Sequence, residues 1–520
     1  MNVLAKNGVI LLLLASSWAA AQCVSTATIP PPTVAPFSGL TGAGTFVSNP
    51  EPANFAAYGC FGPKNPILRV TDGNTDTNTC AAQSTTCPGK AYRSNYADNS
   101  DGEDSNWSID DKEFTWTDSG NSYYISNFDP VHMTTSVRYG NVSSGYSWWI
   151  NPTYSHTTPS KVYSFSNAAS TSHGTVLSSY NTLVTWPTLP TQTQIYDFAT
   201  TPNGVPAGAI YQTDGVSINN TDTMFGTGFS TSGSQGTAAY VASYKVGSGL
   251  SVWDINASTV TGDYGTTGAV LCQNCSGSPI DPGHFLLHNV KFSPDGLWAL
   301  VNPQSGTCST TCYEGSMPYL WQVGTTNVWT FCGSNCSGHW VAGFTAFINE
   351  YNTPFYGSKP YSSPLTSTTF PSSYCSGAGA PFDTHPSWWN NSGADQEPFF
   401  TSTTSGNTNP VYSFCTVAEI ISMYTPANTA QSGVVTRYAH NYGYASSEFA
   451  VEEQIMSVSQ GKTGRLYATL TSPMANSSTH VGQLGDTSGN YPGTVPPYRG
   501  DVFVVQLQGA PTVFSGGILQ

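Results

Sequence analysis

Charge is scarce in this chain. Only 9% of its residues are Asp, Glu, Lys or Arg, and 30 Asp and Glu outnumber 15 Lys and Arg, for a formal net charge of -15. A chain this acidic lacks the basic footprint that holds nucleic acid or an anionic membrane surface. Beyond the first residues, no apolar run approaches the length of a membrane-spanning helix. No long segment repeats apolar residues at the 3.6-residue helical period, so helices are not expected to build the core. Gly-x-Ser-x-Gly elbows, P-loops and dinucleotide fingerprints are missing as well, which disfavours a serine hydrolase or a nucleotide enzyme.

What is plentiful points to strands and turns. The 520 residues include 51 Gly, 35 Pro and 29 Tyr, with many Ser, Thr and Asn. At the start, Lys6, the run Val9–Ala15 and then Ala19-Ala20-Ala21 read as the charged, apolar and small-residue regions of a signal peptide over 1–21. Gln22 stands where a lipoprotein signal needs a small residue, so Cys23 is not taken as a lipid anchor. A secreted protein, extracellular or periplasmic, is expected. The 12 cysteines agree with export, and several stand close together: Cys80 with Cys87, Cys272 with Cys275, Cys308 with Cys312, Cys332 with Cys336. Local disulfides pinning loops are expected there, in preference to zinc.

Residues 22–58 are rich in Pro, Thr, Gly and Ser and read as an arm or linker rather than a domain. The strongest pattern in the chain is His288–Val301. An apolar strand runs into Ser293-Pro294-Asp295-Gly296 and a second apolar strand runs out. Pro presets the first turn position and Gly supplies a positive φ, so the chain reverses there. Similar hairpins are expected at Trp107–Trp116, Tyr154–Tyr163 and Val216–Phe225, with weaker ones at Gly338–Gly343, His385–Asn391 and Ile455–Leu470. Pro66–Asp72 and Gly500–Leu507 read as strands, and pairing between them would leave no long open edge.

The Ser-Pro-Asp-Gly hairpin resembles the repeat of TolB-type and WD40-like β-propellers, as do Arg437–His440 and Arg499–Leu507. The resemblance implies an all-β fold: a seven-bladed β-propeller over 59–508, closed by pairing of its N- and C-terminal strands, with a tail at 509–520.

Candidate chemistry rests on spacing. His288, His339, His385 and His440 are read as standing at or just before the inner strands of successive late blades, which would aim four imidazoles at one channel mouth. Imidazole suits Mn, Fe or Zn. The series resembles the oligogalacturonate lyases, a propeller family whose channel histidines hold a metal, and that resemblance adds Gln454 as an oxygen ligand. Separate hydrogen-bonding roles within each blade are the competing reading. A lyase also needs a base near neutral pKa, no motif marks one, and the acidic surface would repel a polyanionic pectate.

Calcium is the other candidate ion. Asp72, Asn74 and Asp76 place oxygens at alternate positions, and Asp98, Asp101, Glu103 and Asp104 form a second acidic stretch. Trp148, Trp149, Trp340, Trp388 and Trp389 are candidates for stacking on a ligand, against packing between blades. No cofactor follows with certainty from the sequence. The functional expectation is a non-catalytic module that binds a glycan or an extracellular protein through its channel face and long loops. The alternative is a metal-dependent, polysaccharide lyase-like enzyme.

Overall fold

A computed structural model of the chain describes residues 43–47, 65–71, 92–93, 106–118, 123–139, 152–166, 174–183, 190–199, 202–206, 211–212, 215–230 and 239–273. It further describes 287–303, 318–330, 340–344, 346–349, 355–356, 366–367, 384–388, 395–403, 419–425, 428, 435–440, 457–459, 465–472 and 501–507. Every regular element among them is a β-strand.

One turn recurs. The amides of Ser108, Asn219 and Ser293 donate to the carbonyls of Glu113, Met224 and Trp298 at 2.9, 3.1 and 2.8 Å, closing hairpins of one design. In each, the fourth turn residue has a positive φ: Asp111 at 58°, Asp222 at 54° and Gly296 at 73°. Asp tolerates this left-handed conformation better than most residues, and Gly adopts it freely. The Ser hydroxyl or Asn side-chain oxygen then accepts the amide of the outgoing strand, as Ser293 Oγ does from Trp298 at 3.0 Å and Asn219 Oδ1 from Met224 at 3.0 Å.

Each hairpin starts a sheet. Sheet 1 holds Tyr92–Arg93, Glu113–Asp118, Tyr123–Asp129 and Thr134–Tyr139, with Trp107 bridged to Phe114 at its inner edge. Sheet 2 runs from Thr153–Tyr154 through Lys161–Ser166 and Val176–Asn181 to Gln192–Asp197 at its edge. Sheet 3 starts at Ser217–Ile218 and continues through Met224–Ser230, Ala239–Lys245, Gly249–Asp254 and Thr259–Gly262. Sheet 4 runs from Leu287–Phe292 through Trp298–Pro303 and Tyr319–Gln322 to Asn327–Thr330, where Leu271–Cys272 adds in parallel. Sheet 5 is the hairpin Trp340–Ala342 with Phe347–Asn349, and Phe355–Tyr356 with Thr366–Ser367 forms a further ribbon. Sheet 6 orders Thr384–Ser387, Phe399–Thr403, Glu419–Met423 and Val435–His440.

Sheet 7 joins the two ends of the chain. Ser457–Val458, Tyr467–Ser472 and Asp501–Gln506 are followed by Ile67–Arg69 and then Phe46–Val47. Ile67 pairs with Val505 and Arg69 with Phe503, the pairing expected between the two terminal strands. Phe46–Val47 lies inside the segment expected to be an arm, so the folded unit reaches back past residue 59. The short Thr-Phe-Val stretch is β-prone, and Gly44 N donates to the Arg69 carbonyl at 2.8 Å. Arg69 and Asp501 form a fully buried ion pair at 2.8 Å. Thr71 Oγ1 donates to Asp501 Oδ1 at 3.2 Å and accepts the Val502 amide at 2.9 Å.

The apolar cores lie between sheets, because strands buried on both faces need a neighbour on each side. Phe165, Leu177 and Phe229 pack between sheets 2 and 3. Trp253, Val290 and Trp321 pack between sheets 3 and 4, and Leu300 with Trp340 between sheets 4 and 5. Ile348 with Ile421 fills the space between sheets 5 and 6, and Ile420 with Leu470 that between sheets 6 and 7. Trp107 and Phe114 of sheet 1 pack on Tyr467 and Val504 of sheet 7.

Candidate functional site

At one end, the inner hairpin turns lock to each other. The Asp222 carboxylate of sheet 3 reaches back to the turn of sheet 2. It accepts Ser155 Oγ at 2.5 Å, the His156 amide at 3.0 Å, Thr157 Oγ1 at 2.7 Å and the Tyr163 hydroxyl at 3.2 Å. Burial, with Asp222 beside it, pushes the Tyr163 hydroxyl pKa well up. Buried Asp395 of sheet 6, at φ 52°, repeats the device by accepting the Phe344 amide of sheet 5 at 2.7 Å. Between sheets 1 and 2, buried Glu113 accepts Ser160 Oγ at 2.7 Å and Thr182 Oγ1 at 2.5 Å.

These groups resemble parts of a catalytic centre, yet their lone pairs are spent on the fold. Ser155 Oγ, besides donating to Asp222, accepts the amides of Thr157 and Thr158 at 3.2 and 2.8 Å. A hydroxyl so engaged is a turn-former rather than a nucleophile.

His156 sits behind this latch with both ring nitrogens buried. Burial lowers its pKa from 6.5 to about 4, outweighing Asp222 and Asn220, which favour the charged form. The unfolded chain takes up this proton near pH 6.5 and the folded chain only near pH 4. The stability this group supplies is therefore present above pH 6.5 and is lost as pH falls toward 4, by on the order of 3 kcal/mol. Urea unfolding at pH 7 and pH 4 should show that loss in wild type and a correspondingly smaller one in His156→Gln. Equal losses in both proteins would contradict the assignment.

The opposite end is built differently. Strands that meet there are joined by the connections 331–339, 368–383 and 441–456 between sheets, by 274–286 from Leu271–Cys272 to the innermost strand of sheet 4, and by the second-to-third-strand connections 231–238, 304–317, 404–418 and 473–500. His288 lies near the start of Leu287–Phe292 and His385 near the start of Thr384–Ser387, both innermost strands at this end. His440 does not continue the series. It ends Val435–His440 and pairs with Glu419, on the far edge of the sheet that His385 opens. Three strand spacings, roughly 14 Å, separate those two edge strands. The interval between His385 and His440 counts strands within one sheet rather than one sheet to the next.

His339 and Gln454 lie outside the described residues, as do the calcium candidates Asp72, Asn74, Asp76, Asp98, Asp101, Glu103 and Asp104. Among the described residues no three His, Cys, Asp or Glu gather to hold a metal.

Two of the tryptophan candidates turn out to be core. Trp340 is buried against Trp298 and Leu300. Trp388 is buried with Ile348 and Phe399, its indole N–H donating to the Glu397 carbonyl at 3.1 Å. Neither offers a ring face to a ligand, and large aromatics filling the gaps between sheets are the reason. Trp148, Trp149 and Trp389 are outside the described residues, as are the cysteines singled out above apart from Cys272, which carries no free thiol.

No protein-family model matches the chain, and no curated protein matches it. Among solved structures, it is similar to dihydro-heme d1 dehydrogenase NirN in complex with DHE, at 10% identity and a TM-score of 0.31. The similarity covers 70% of this chain and 67% of that one. At that score it carries no argument about what this chain does.

Proposed function

We propose that the chain is an exported seven-bladed β-propeller that serves as a binding module, offering its loop-bearing end to a glycan or an extracellular protein. The observation that carries this reading is the asymmetry of the two ends. At one, Asp222, Asp395 and Glu113 are consumed in turn-to-turn hydrogen bonds. At the other stand the strand ends from which the longer connections run, such as Thr403 and Ser472. A rigid scaffold that carries its long connections on one face is the usual arrangement for recognition. The propeller itself is supported by packing of sheet 1 on sheet 7 and by the Ile67–Val505 pairing, which together return the chain to its start. Fold alone does not name a ligand.

The test places a photo-crosslinking residue at Thr403 or Ser472, at strand ends that enter the long connections, and at Val131 or Leu297, exposed on the tight turns. Irradiation in the native secretion medium should give adducts from the first pair and none from the second. Adducts from Val131 or Leu297 alone would reverse the assignment.

A further inference from the structure

We propose a second, lateral site: the ring of Tyr196 is a stacking platform for one sugar of a neutral glycan. Gln192–Asp197 is the edge strand of sheet 2, and Gln192, Thr193 and Gln194 on it are exposed. Between Gln194 and Tyr196 the pairing with Val176–Asn181 is broken by a bulge. A bulge re-aims the side chain beside it, and here that side chain is an aromatic ring.

The ring ends a column. Buried Phe225 lies near-parallel to Tyr244, with centroids 6.3 Å apart and planes at 26°. Tyr244 stacks on Tyr196 at 4.1 Å and 20°. Phe198 meets Tyr196 edge-on at 6.0 Å, and among the described residues no ring stacks on its other face. Tyr196 is half-buried, with Tyr244 stacked on one face, on a strand whose residues Gln192 to Gln194 are exposed.

Beside its hydroxyl stands the exposed Asp263 carboxylate, which helps burial raise the Tyr196 pKa. That carboxylate is itself fixed, accepting Leu250 N at 3.0 Å and Asn203 Nδ2 at 3.3 Å. A pyranose presents an apolar C–H face to such a ring and hydroxyls to a carboxylate, an amide and the Gln and Thr side chains alongside. Because ring and carboxylate are already held, little ordering cost remains for binding. Asp263 and Asp197 disfavour an anionic sugar, which selects the neutral class.

The platform lies on the outer edge of sheet 2, so it stands or falls separately from the loop-bearing end. The experiment is saturation-transfer NMR of wild type, Tyr196→Ala and Tyr196→Phe with cellohexaose, laminarihexaose, mannohexaose and xylohexaose. Near-UV circular dichroism checks that each variant is folded. At least one hexasaccharide should bind wild type and Tyr196→Phe, with about tenfold or greater loss in Tyr196→Ala. Cross-linking from Thr403 and Ser472 should be unchanged by Tyr196→Ala. Binding of none of the four sugars, equal binding by Tyr196→Ala, or equal loss in Tyr196→Phe would each overturn the platform.

Discussion

Replacing Asp501 by alanine is expected to lower the unfolding free energy by about 3–5 kcal/mol, because it strands the buried Arg69 guanidinium without its counter-ion. Both side chains are fully buried and meet at 2.8 Å. Arg69 comes from the strand Ile67–Arg69 and Asp501 from Asp501–Gln506, so the pair pins one end of the chain to the other. Arg69 Nε also donates to the Thr71 carbonyl at 3.0 Å, and Thr71 in turn bonds both Asp501 and the Val502 amide. The loss therefore spreads through a small network rather than one bond. The double variant Arg69→Met/Asp501→Leu should recover much of the stability, since replacing a whole buried pair by apolar groups is often neutral. Urea unfolding of the three proteins decides it. Single and double variants equally destabilised would show that shape rather than charge pairing matters there.

Truncating Trp107 should cost a similar amount, about 3–5 kcal/mol for an aromatic-to-alanine change in a packed core. Trp107 is fully buried where sheet 1 meets sheet 7. Its ring lies 6.0 Å from that of Tyr467, near-parallel, and 4.9 and 5.3 Å from Phe114 and Phe128. Tyr467 also donates from its hydroxyl to the Pro130 carbonyl at 2.7 Å, so this one contact joins three segments. Trp107→Phe, which keeps a ring in place, should lose less. Urea midpoints at constant slope measure both. A loss below about 1 kcal/mol in Trp107→Ala would mean that sheets 1 and 7 do not depend on each other, since buried aromatics that matter cost several times that.

Local chemistry made much of this fold readable. Ser293-Pro-Asp-Gly states its turn outright, and Ser108-Ile-Asp-Asp and Asn219-Asn-Thr-Asp state it again with Asp in place of Gly at the positive-φ position. The terminal pairing was legible because the propeller resemblance calls for a strand from one end of the chain to close against one from the other, and Pro66–Asp72 and Gly500–Leu507 read as strands. What a single sequence does not display is which strand of a sheet a residue occupies. His440 fell on an outer edge for that reason, although its spacing from His385 resembles one repeat. Trp340 and Trp388 show the same limit: exposed rim and filled gap draw on the same aromatic residues. The Asp222 latch and the Tyr196 column each join residues of two different sheets, and neither has a local motif. The one trace of the latch in sequence is the recurrence of an acidic or glycyl residue at the fourth turn position.

Amide hydrogen exchange at the junction of the chain ends is the direct test of the proposed closed, seven-bladed propeller. Val70 N donates to the Val502 carbonyl and Gln506 N to that of Pro66, at 2.8 and 2.9 Å. In a closed scaffold these amides should exchange only through global unfolding, as slowly as those of Val241 and Ala242 in the interior of sheet 3. Exchange at Val70 and Gln506 orders of magnitude faster than at Val241 would show a terminal strand that opens on its own, and the closed scaffold would be contradicted.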